Sequence, residues 1–302
     1  MSERCVVVLG ADGQLGHELC RTLAPLGKVV GLGRRNPALA FDLQSPAAAC
    51  ATIEGLRPAL LVNAAAYTQV DKAEAESALA HALNAKAVGA LGACAARLGI
   101  PVVHYSTDYV FDGQAERPYV EDHATAPLNV YGASKLAGER ALLASGAASV
   151  VLRTSWVYAS RGQNFLRTML RLATSQPRLR VVADQHGAPT WARSLAGATA
   201  LMVAKLGFDS ASWQPYQGVY HLTNAGQTTW HGFAQAILDE ARGWPGVVAE
   251  GVDPIPTSDY PTPAARPRYS VLDNGKFKRA FDLALEPWDV ALKLCMADLS
   301  AR

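Results

Sequence analysis

The run "CVVVLGADGQLGHEL", residues 5–19, constrains the fold of this chain more than any other. Its first five residues are apolar without alternation, the pattern of a parallel strand covered on both faces. Gly10, Gly13 and Gly16 follow at once, and a helical pattern begins inside them. Glycines let a backbone turn sharply and come close to a ligand, and a helix N-terminus offers N–H donors with a favourable dipole. A strand, a glycine turn and a helix in that order make a site for the diphosphate of a dinucleotide. The spacing is G-x-x-G-x-x-G rather than the commonest G-x-G-x-x-G.

The rhythm continues. Apolar runs at 5–9, 28–32, 59–63, 101–106 and 149–154 read as buried strands, and residues 14–26, 46–56, 76–98 and 134–144 as the helices between them. Ser45-Pro46 suits a helix start, with a capping serine and a proline in the first turn. Repeated β-α-β of this kind predicts an α/β fold: a doubly wound, Rossmann-like parallel sheet that binds ligands at the carboxyl ends of its strands. We place a dinucleotide-binding domain at 1–160. A smaller substrate-binding region follows at 161–302, with chain exchange back into the first domain allowed. There the expected helices are 165–175, 192–206, 229–242 and 287–300, with a strand at 218–222. The proline-rich stretch "GVDPIPTSDYPTPAARP" (251–267) is no helix or central strand, and reads as a linker or a binding loop.

Charge and cysteine usage narrow the partners. The 302 residues carry a formal net charge of +2, which gives no cause to invoke nucleic acid or a membrane surface. The five cysteines are scattered with no C-x-x-C pair, as for buried thiols in a reducing compartment. The N-terminal apolar run is too short for a signal peptide or membrane span. These features together predict a cytoplasmic protein.

Chemistry enters at "NVYGASKLAGERAL", residues 129–142, where Tyr131 stands four places before Lys135. On a helix that spacing stacks the two side chains on one face. They could simply share a half-exposed face. Downstream of a dinucleotide fold, another reading opens. A phenol with an ordinary pKa near 10 is a poor proton shuttle at neutral pH. A cation about 4 Å away at moderate dielectric favours its phenolate by up to roughly 4 kcal/mol. Lysine can also hold a cofactor ribose. The fourth strand ends in "HYSTDYVFDG", so Thr107 can hydrogen-bond a substrate carbonyl and Asp108 can orient a sugar hydroxyl. A plain strand-end cap is the alternative for Thr107. At the end of the second strand Gly33 stands where NAD-binding folds often place a ribose-binding acid, and Arg34-Arg35 follow. Two guanidinium groups there suit the 2′-phosphate of NADPH, with NADH the alternative cofactor and a solvated surface pair the alternative role.

The arrangement resembles the extended short-chain dehydrogenase/reductases and, among them, the dTDP-4-dehydrorhamnose reductase family. The strings "GADGQLGHEL", "VNAAAYTQVDKAE", "HYSTDYVFDG", "PLNVYGASKLAGE", "LRTSWVY", "DQHGAPT" and "PTPAARP" carry that resemblance in this order. It implies Tyr131 as proton donor, Lys135 as its partner and Thr107 beside the substrate oxygen. It implies Gly10, Gly13, Gln14 and Leu15 at the cofactor diphosphate and Asp42-Leu43 at the adenine. Ala65, Ala66 and Tyr67 then lie further along the crevice, with Tyr105 nearby. Trp156 falls in the sugar-nucleotide pocket, or else is a core tryptophan. Arg266 and Arg268 suit the substrate diphosphate, since guanidinium forks match phosphate oxygens, and exposed structural arginines are the alternative.

Some members of that family are metal-linked dimers, with carboxylates at three places. Glu18 and Asp289 fill two of them here, but Arg193 fills the third, and a guanidinium repels Mg²⁺. The seven histidines show no zinc-ligand spacing either. No metal is therefore expected, and the chain is a monomer or weak homodimer. The reaction implied is NADPH-dependent reduction of a nucleotide sugar, the C4 carbonyl of dTDP-4-dehydro-L-rhamnose. An epimerase or dehydratase of the same superfamily is one alternative, although Tyr109 follows Asp108 where dehydratases tend to carry an acid. A non-catalytic NADP-binding regulatory subunit, like that of methionine adenosyltransferase, is another.

Overall fold

A computed structural model describes residues 4–33 and 41–300. Arg34 and Arg35 lie outside the described residues. Five parallel strands appear where the apolar runs predict them: β1 (Cys5–Leu9), β2 (Lys28–Leu32), β3 (Leu60–Asn63), β4 (Val102–Thr107) and β5 (Ser149–Thr154). The strand Gly218–His221 returns from the second half of the chain and pairs with β5. Across the six-stranded sheet the order is β2-β1-β3-β4-β5 and then Gly218–His221. The chain reverses direction across the sheet between β1 and β3, so the ligand crevice of such a fold opens at their carboxyl ends.

Both faces are covered, which explains the unbroken apolar runs. Val6, Val8, Val62 and Val150 pack against Leu195, Met202 and Val203 of the helix Ala192–Leu206. Val7, Leu9, Leu61 and Val151 pack on the other side against Ile53, Val88 and Leu91. A separate core gathers Tyr158, Leu166, Phe233, Ile237 and Leu292 in the later half. None of the five cysteines is in a disulfide, and no helix among the described residues is long and apolar enough to cross a membrane.

Three elements depart from the sequence reading. The helix expected at 134–144 is Val130–Leu143, because Asn129 caps it: its Oδ1 accepts the Gly132 N–H at 2.8 Å. This earlier start puts Tyr131 inside the helix. The helix expected at 76–98 is divided into Ser77–His81, a wide π-turn at Ala82–Lys86 and Ala87–Leu98. In the wide turn Asn84 is buried and holds both the N–H (2.8 Å) and the carbonyl (3.0 Å) of Tyr67. Third, the proline-rich stretch opens as a strand, Gly251–Ile255, paired parallel with Arg178–Val182 in a two-stranded ribbon. A ribbon leaves an edge where the missing N–H of Pro254 costs no ladder bond.

Candidate active site

The glycine turn folds back on itself at the end of β1. Gly10 has φ of 78° and donates to the Leu32 carbonyl at 2.8 Å. A Cβ on Gly10 would lie 2.8 Å from the Ala65 N, and one on Gly16 would run into the Gly10 carbonyl. The two glycines let the helix Gln14–Thr22 meet the turn without side chains between them. No side chain caps that helix at Gly13, so its first N–H groups remain for an anion. The cradle therefore fits a diphosphate. Gln14 is steadied from the second half of the chain, since Asn164 Nδ2 donates to its Oε1 at 2.7 Å. Leu15 packs at the edge of the core on the same turn. Asp42 is exposed and Leu43 buried, just beyond the residues not described after β2.

Sequence reasoning missed Asp12. Its carboxylate fills the space beside Gly33, so that a Cβ on Gly33 would strike it. The acid absent from the end of β2 is thus approached in space by one from the glycine turn.

Ala65 and Ala66 follow β3 and are half-buried. The Ala65 N–H donates to Asn63 Oδ1 at 3.1 Å, which holds that strand end open. The Tyr67 hydroxyl donates to Glu76 Oε2 at 2.6 Å, and that bond pushes the phenol up to about 12. For Tyr105 the structure brings only the backbone to the site. Its ring packs with the core on the side of the helix Ala192–Leu206, where its hydroxyl meets Thr199 Oγ1 at 2.6 Å.

Tyr131 and Lys135 share one helix face, as their spacing requires. Their electrostatics differ from the expectation. Lys135 Nζ donates to the Tyr105 carbonyl at 2.6 Å, and burial brings the ammonium down to about 8, against the opposing pull of Glu139. The Tyr131 phenol is pushed up to about 12 by burial, with Thr107 opposing and the Asp108 charge adding to the rise. Lys135 is not among the groups that set it. The expected lowering by Lys135 is therefore corrected for the protein alone: both groups are desolvated, and the cation is anchored to a carbonyl rather than to the phenol. A phenol in that range keeps its proton at neutral pH, which is the form an acid needs.

Thr107 is both cap and candidate ligand. Its Oγ1 accepts the Tyr109 N–H at 3.1 Å and lies 2.9 Å from Asp108 Oδ1, with the Tyr131 phenol also within its reach. Asp108 is buried, and burial pushes it up to about 6 against hydrogen bonds from Ser270 and Thr107. Its Oδ2 carries no well-formed hydrogen bond.

Thr107 and Thr154 are partners in the β4–β5 register, and Trp156 follows just past the end of β5. It is half-buried rather than a core tryptophan, and it holds φ of 46°. That left-handed conformation is costly for a bulky residue and persists only where packing imposes it. Here Trp230 stacks flat on the indole, ring centres 3.6 Å apart at 7°. Gly187 lies against its edge, where a Cβ would collide with the ring. Neither partner carries a spacing signal in the sequence.

The two arginines of the proline-rich loop part company. Arg266 is held bidentate by Asp71, at 2.9 and 2.8 Å, and its fork is occupied in this structure. Arg268 is exposed, and its backbone carbonyl accepts the His186 N–H at 2.8 Å. Asn129 Nδ2 donates to the Ala265 carbonyl at 2.8 Å, which ties the loop to the start of the Tyr131 helix.

Arg193 stands between carboxylates. Its Nε is 3.2 Å from the buried Glu18 and its Nη2 is 2.5 Å from Asp298, while Asp289 is exposed. The second acid at the guanidinium is Asp298, on the same helix as Asp289. No cluster of three or more candidate metal ligands occurs among the described residues.

A doubly wound sheet with a phosphate turn after β1, and a tyrosine and lysine one helical turn apart across the crevice, is the architecture of the extended short-chain dehydrogenase/reductases. The comparisons agree with that class. The family model described as the RmlD substrate binding domain matches residues 4–301. A dTDP-4-dehydrorhamnose reductase of Burkholderia thailandensis is 50% identical over 297 residues, covering 97% of this chain and 98% of the relative. That of Salmonella typhimurium is 45% identical over 296 residues, 97% of each chain. The crystal structure of the Bacillus anthracis dTDP-4-dehydrorhamnose reductase in complex with NADP superposes with a TM-score of 0.87 at 32% identity, over 98% of this chain and 99% of that one. The chain belongs to the dTDP-4-dehydrorhamnose reductase family.

Proposed function

We propose that this protein reduces the C4 carbonyl of dTDP-4-dehydro-L-rhamnose to give dTDP-L-rhamnose, with NADPH as reductant. The observation that carries the reading is the meeting of a protonated Tyr131 with Thr107 at the end of β4, in a chain 50% identical to a reductase of that name along its whole length. NADPH, when bound, supplies the hydride that the carbonyl carbon receives. Gly10, Gly13, Gln14 and Leu15 hold its diphosphate, Asp42 and Leu43 the adenine end, and Ala65, Ala66 and Tyr67 the path between. Arg34 and Arg35 are assigned to the 2′-phosphate.

The chain's own groups then do the rest. Thr107 holds the substrate carbonyl oxygen within reach of Tyr131. The Tyr131 O–H gives its proton to that oxygen as negative charge builds on it. Lys135, anchored on the Tyr105 carbonyl, holds the ribose and stands beneath the phenol. Asp108 accepts a sugar hydroxyl at its unpartnered oxygen. The Trp156–Trp230 stack walls the sugar pocket, and Arg268 reaches for the substrate diphosphate, with Arg266 joining only if it leaves Asp71. Residues 1–160 with the strand 218–221 form the cofactor half, and the remainder forms the substrate half. We place the enzyme in the cytoplasm as a monomer or weak homodimer.

Incubation with dTDP-4-dehydrorhamnose and NADPH, followed by the loss of NADPH absorbance and by chromatography of the sugar nucleotide, tests the reading. Stoichiometric conversion to dTDP-rhamnose is expected. Conversion without net NADPH consumption, by protein that retains its nucleotide through purification, would point to an epimerase instead.

A further inference from the structure

A polar chain runs beneath the catalytic lysine that the proposed mechanism does not use. Asn63 and His104 are register partners at the ends of β3 and on β4, and both are buried, His104 completely. Asn63 Oδ1 accepts the Ala65 N–H at 3.1 Å, so the amide has to turn its NH₂ toward the imidazole. That Nδ2 lies 3.1 Å from His104 Nδ1. A donor facing Nδ1 requires a lone pair there, and a neutral imidazole then carries its single proton on Nε2. His104 Nε2 lies 3.4 Å from Lys135 Nζ. An imidazole N–H thus faces the lysine nitrogen from within the sheet, while Nζ donates to the Tyr105 carbonyl at 2.6 Å.

An ammonium has three protons and no lone pair, so it gains nothing from an N–H pointed at it, whereas a neutral amine accepts one. We propose that His104, its tautomer set by Asn63, is a positioning residue that favours the neutral form of Lys135 and turns the remaining protons of its ammonium toward Tyr131 and the crevice. The inference takes from the proposed function only that Lys135 works with Tyr131.

Proton balance follows. Once Tyr131 has given its proton to the substrate oxygen, an N–H bond of Lys135 breaks and the phenolate O–H reforms, directly or through a hydroxyl between them. The lone pair left on Nζ accepts the His104 N–H, and the one solvent proton that the overall reduction consumes restores the ammonium. No electrons move in this step. The surroundings agree: burial holds Lys135 down to about 8. Burial and the Lys135 charge hold His104 well below the usual imidazole range, with the Asn63 backbone opposing, so the ring is neutral. Among the titratable neighbours of Lys135 are His104 on β4, Tyr131 one turn earlier on its helix and Glu139 one turn later. Glu139 is locked bidentate on Arg153 of β5 at 2.9 and 2.7 Å, which offsets most of its charge.

Histidine-selective ¹⁵N labelling of the cofactor-free protein reads the tautomer directly. A pyridine-type Nδ1 and a pyrrole-type Nε2 at His104 are expected across the neutral range. A proton on Nδ1, turned to the Asn63 carbonyl as a competing acceptor, would overturn the proposal. Asn63→Asp retains an acceptor for the Ala65 N–H and places a second one opposite Nδ1. It should invert the tautomer and carry the alkaline limb of the kcat profile upward by about one pH unit. His104→Gln, whose amide can turn its oxygen to the ammonium, should move the limb in the same direction without added charge. Variants that retain the circular dichroism of the parent but leave the limb in place refute the idea, and if neither folds, the parent tautomer decides. A parent that fails to turn over the nucleotide sugar counts against the proposed function and leaves the tautomer measurement standing.

Discussion

Lys135 and Tyr105 meet as ammonium and backbone carbonyl, 2.6 Å apart, while the Tyr105 ring is turned to the opposite face of β4. The lysine is thereby tied to the strand that ends in Thr107, and Tyr131 is carried with it one helical turn away. Replacing Tyr131 with Phe should abolish turnover while leaving NADPH affinity nearly unchanged, because only the acid is lost. Lys135→Ala should damage both, since the same cation serves phenol and ribose. Steady-state kinetics with cofactor titration checks the pair. Retention by Tyr131→Phe of more than about a tenth of kcat, a loss under roughly 1.4 kcal/mol, would remove Tyr131 as the acid.

Asp108 makes stability depend on pH in an unusual direction. Burial raises its folded value to about 6 from an ordinary 3.8, so between about pH 4 and about pH 6 the folded state binds more protons than the unfolded one. Its contribution therefore falls as pH rises through that window, by an amount on the order of 2–3 kcal/mol. Asp108→Asn should erase that slope and melt higher than the parent at neutral pH, yet not at about pH 4. Equal melting differences at both pH values would show that the carboxyl titrates normally.

Gly187 lies against the Trp156 ring edge with no room for a methyl group. Gly187→Ala should push the indole off Trp230 and raise KM for the nucleotide sugar by about tenfold, roughly 1.4 kcal/mol. Cofactor affinity should hold. Titration of the intrinsic fluorescence of the stacked pair with dTDP gives a second readout, and an unchanged KM would place Trp156 outside the sugar pocket.

Arg193 supplies an internal cation between Glu18 and Asp298. Activity before and after EDTA should agree, and Mg²⁺ should not shift elution on gel filtration. A Mg²⁺-dependent dimer would contradict this. Arg193→Ala takes the paired guanidinium from the buried Glu18 and should cost ~2 kcal/mol, the partial exposure of the arginine moderating the loss of a buried pair. Denaturant melts measure it.

NADPH should exceed NADH by at least about tenfold in kcat/KM, one or two charge-assisted bonds to the 2′-phosphate sufficing. Arg34→Ala with Arg35→Ala should erase most of that preference through KM for NADPH alone. The Asp12 carboxylate beside Gly33 makes a complementary case: Asp12→Asn removes a repulsive charge and should widen the preference further. Equal efficiency of the two cofactors in the parent would exclude the assignment.

Much of the sheet was legible because its signals are local. Five strands read as unbroken apolar runs, since each needs cover on both faces. The start of the Tyr131 helix was legible too, in Asn129, yet an asparagine cap is easily passed over next to a glycine- and alanine-rich run. The π-turn at 82–86 had no such mark. It is imposed by Asn84 reaching Tyr67 and by the Asn84 carbonyl filling the place of a side chain at Gly138. The ribbon 251–255 was hidden by prolines, which exclude a central strand but tolerate an edge.

The sequence by itself determined the parallel sheet, the phosphate turn and the pairing of Tyr131 with Lys135, because each depends on neighbours within one or two turns of chain. Tertiary structure alone decided what those groups do to one another. Desolvation and Coulomb energy depend on distance through space, so burial kept the proton on Tyr131, and the Tyr105 carbonyl took the lysine. By the same rule Asp71 claimed Arg266 and Asp298 claimed Arg193. Trp156 is half-buried against Trp230 and Gly187, remote in sequence, in a backbone conformation that no local preference would choose.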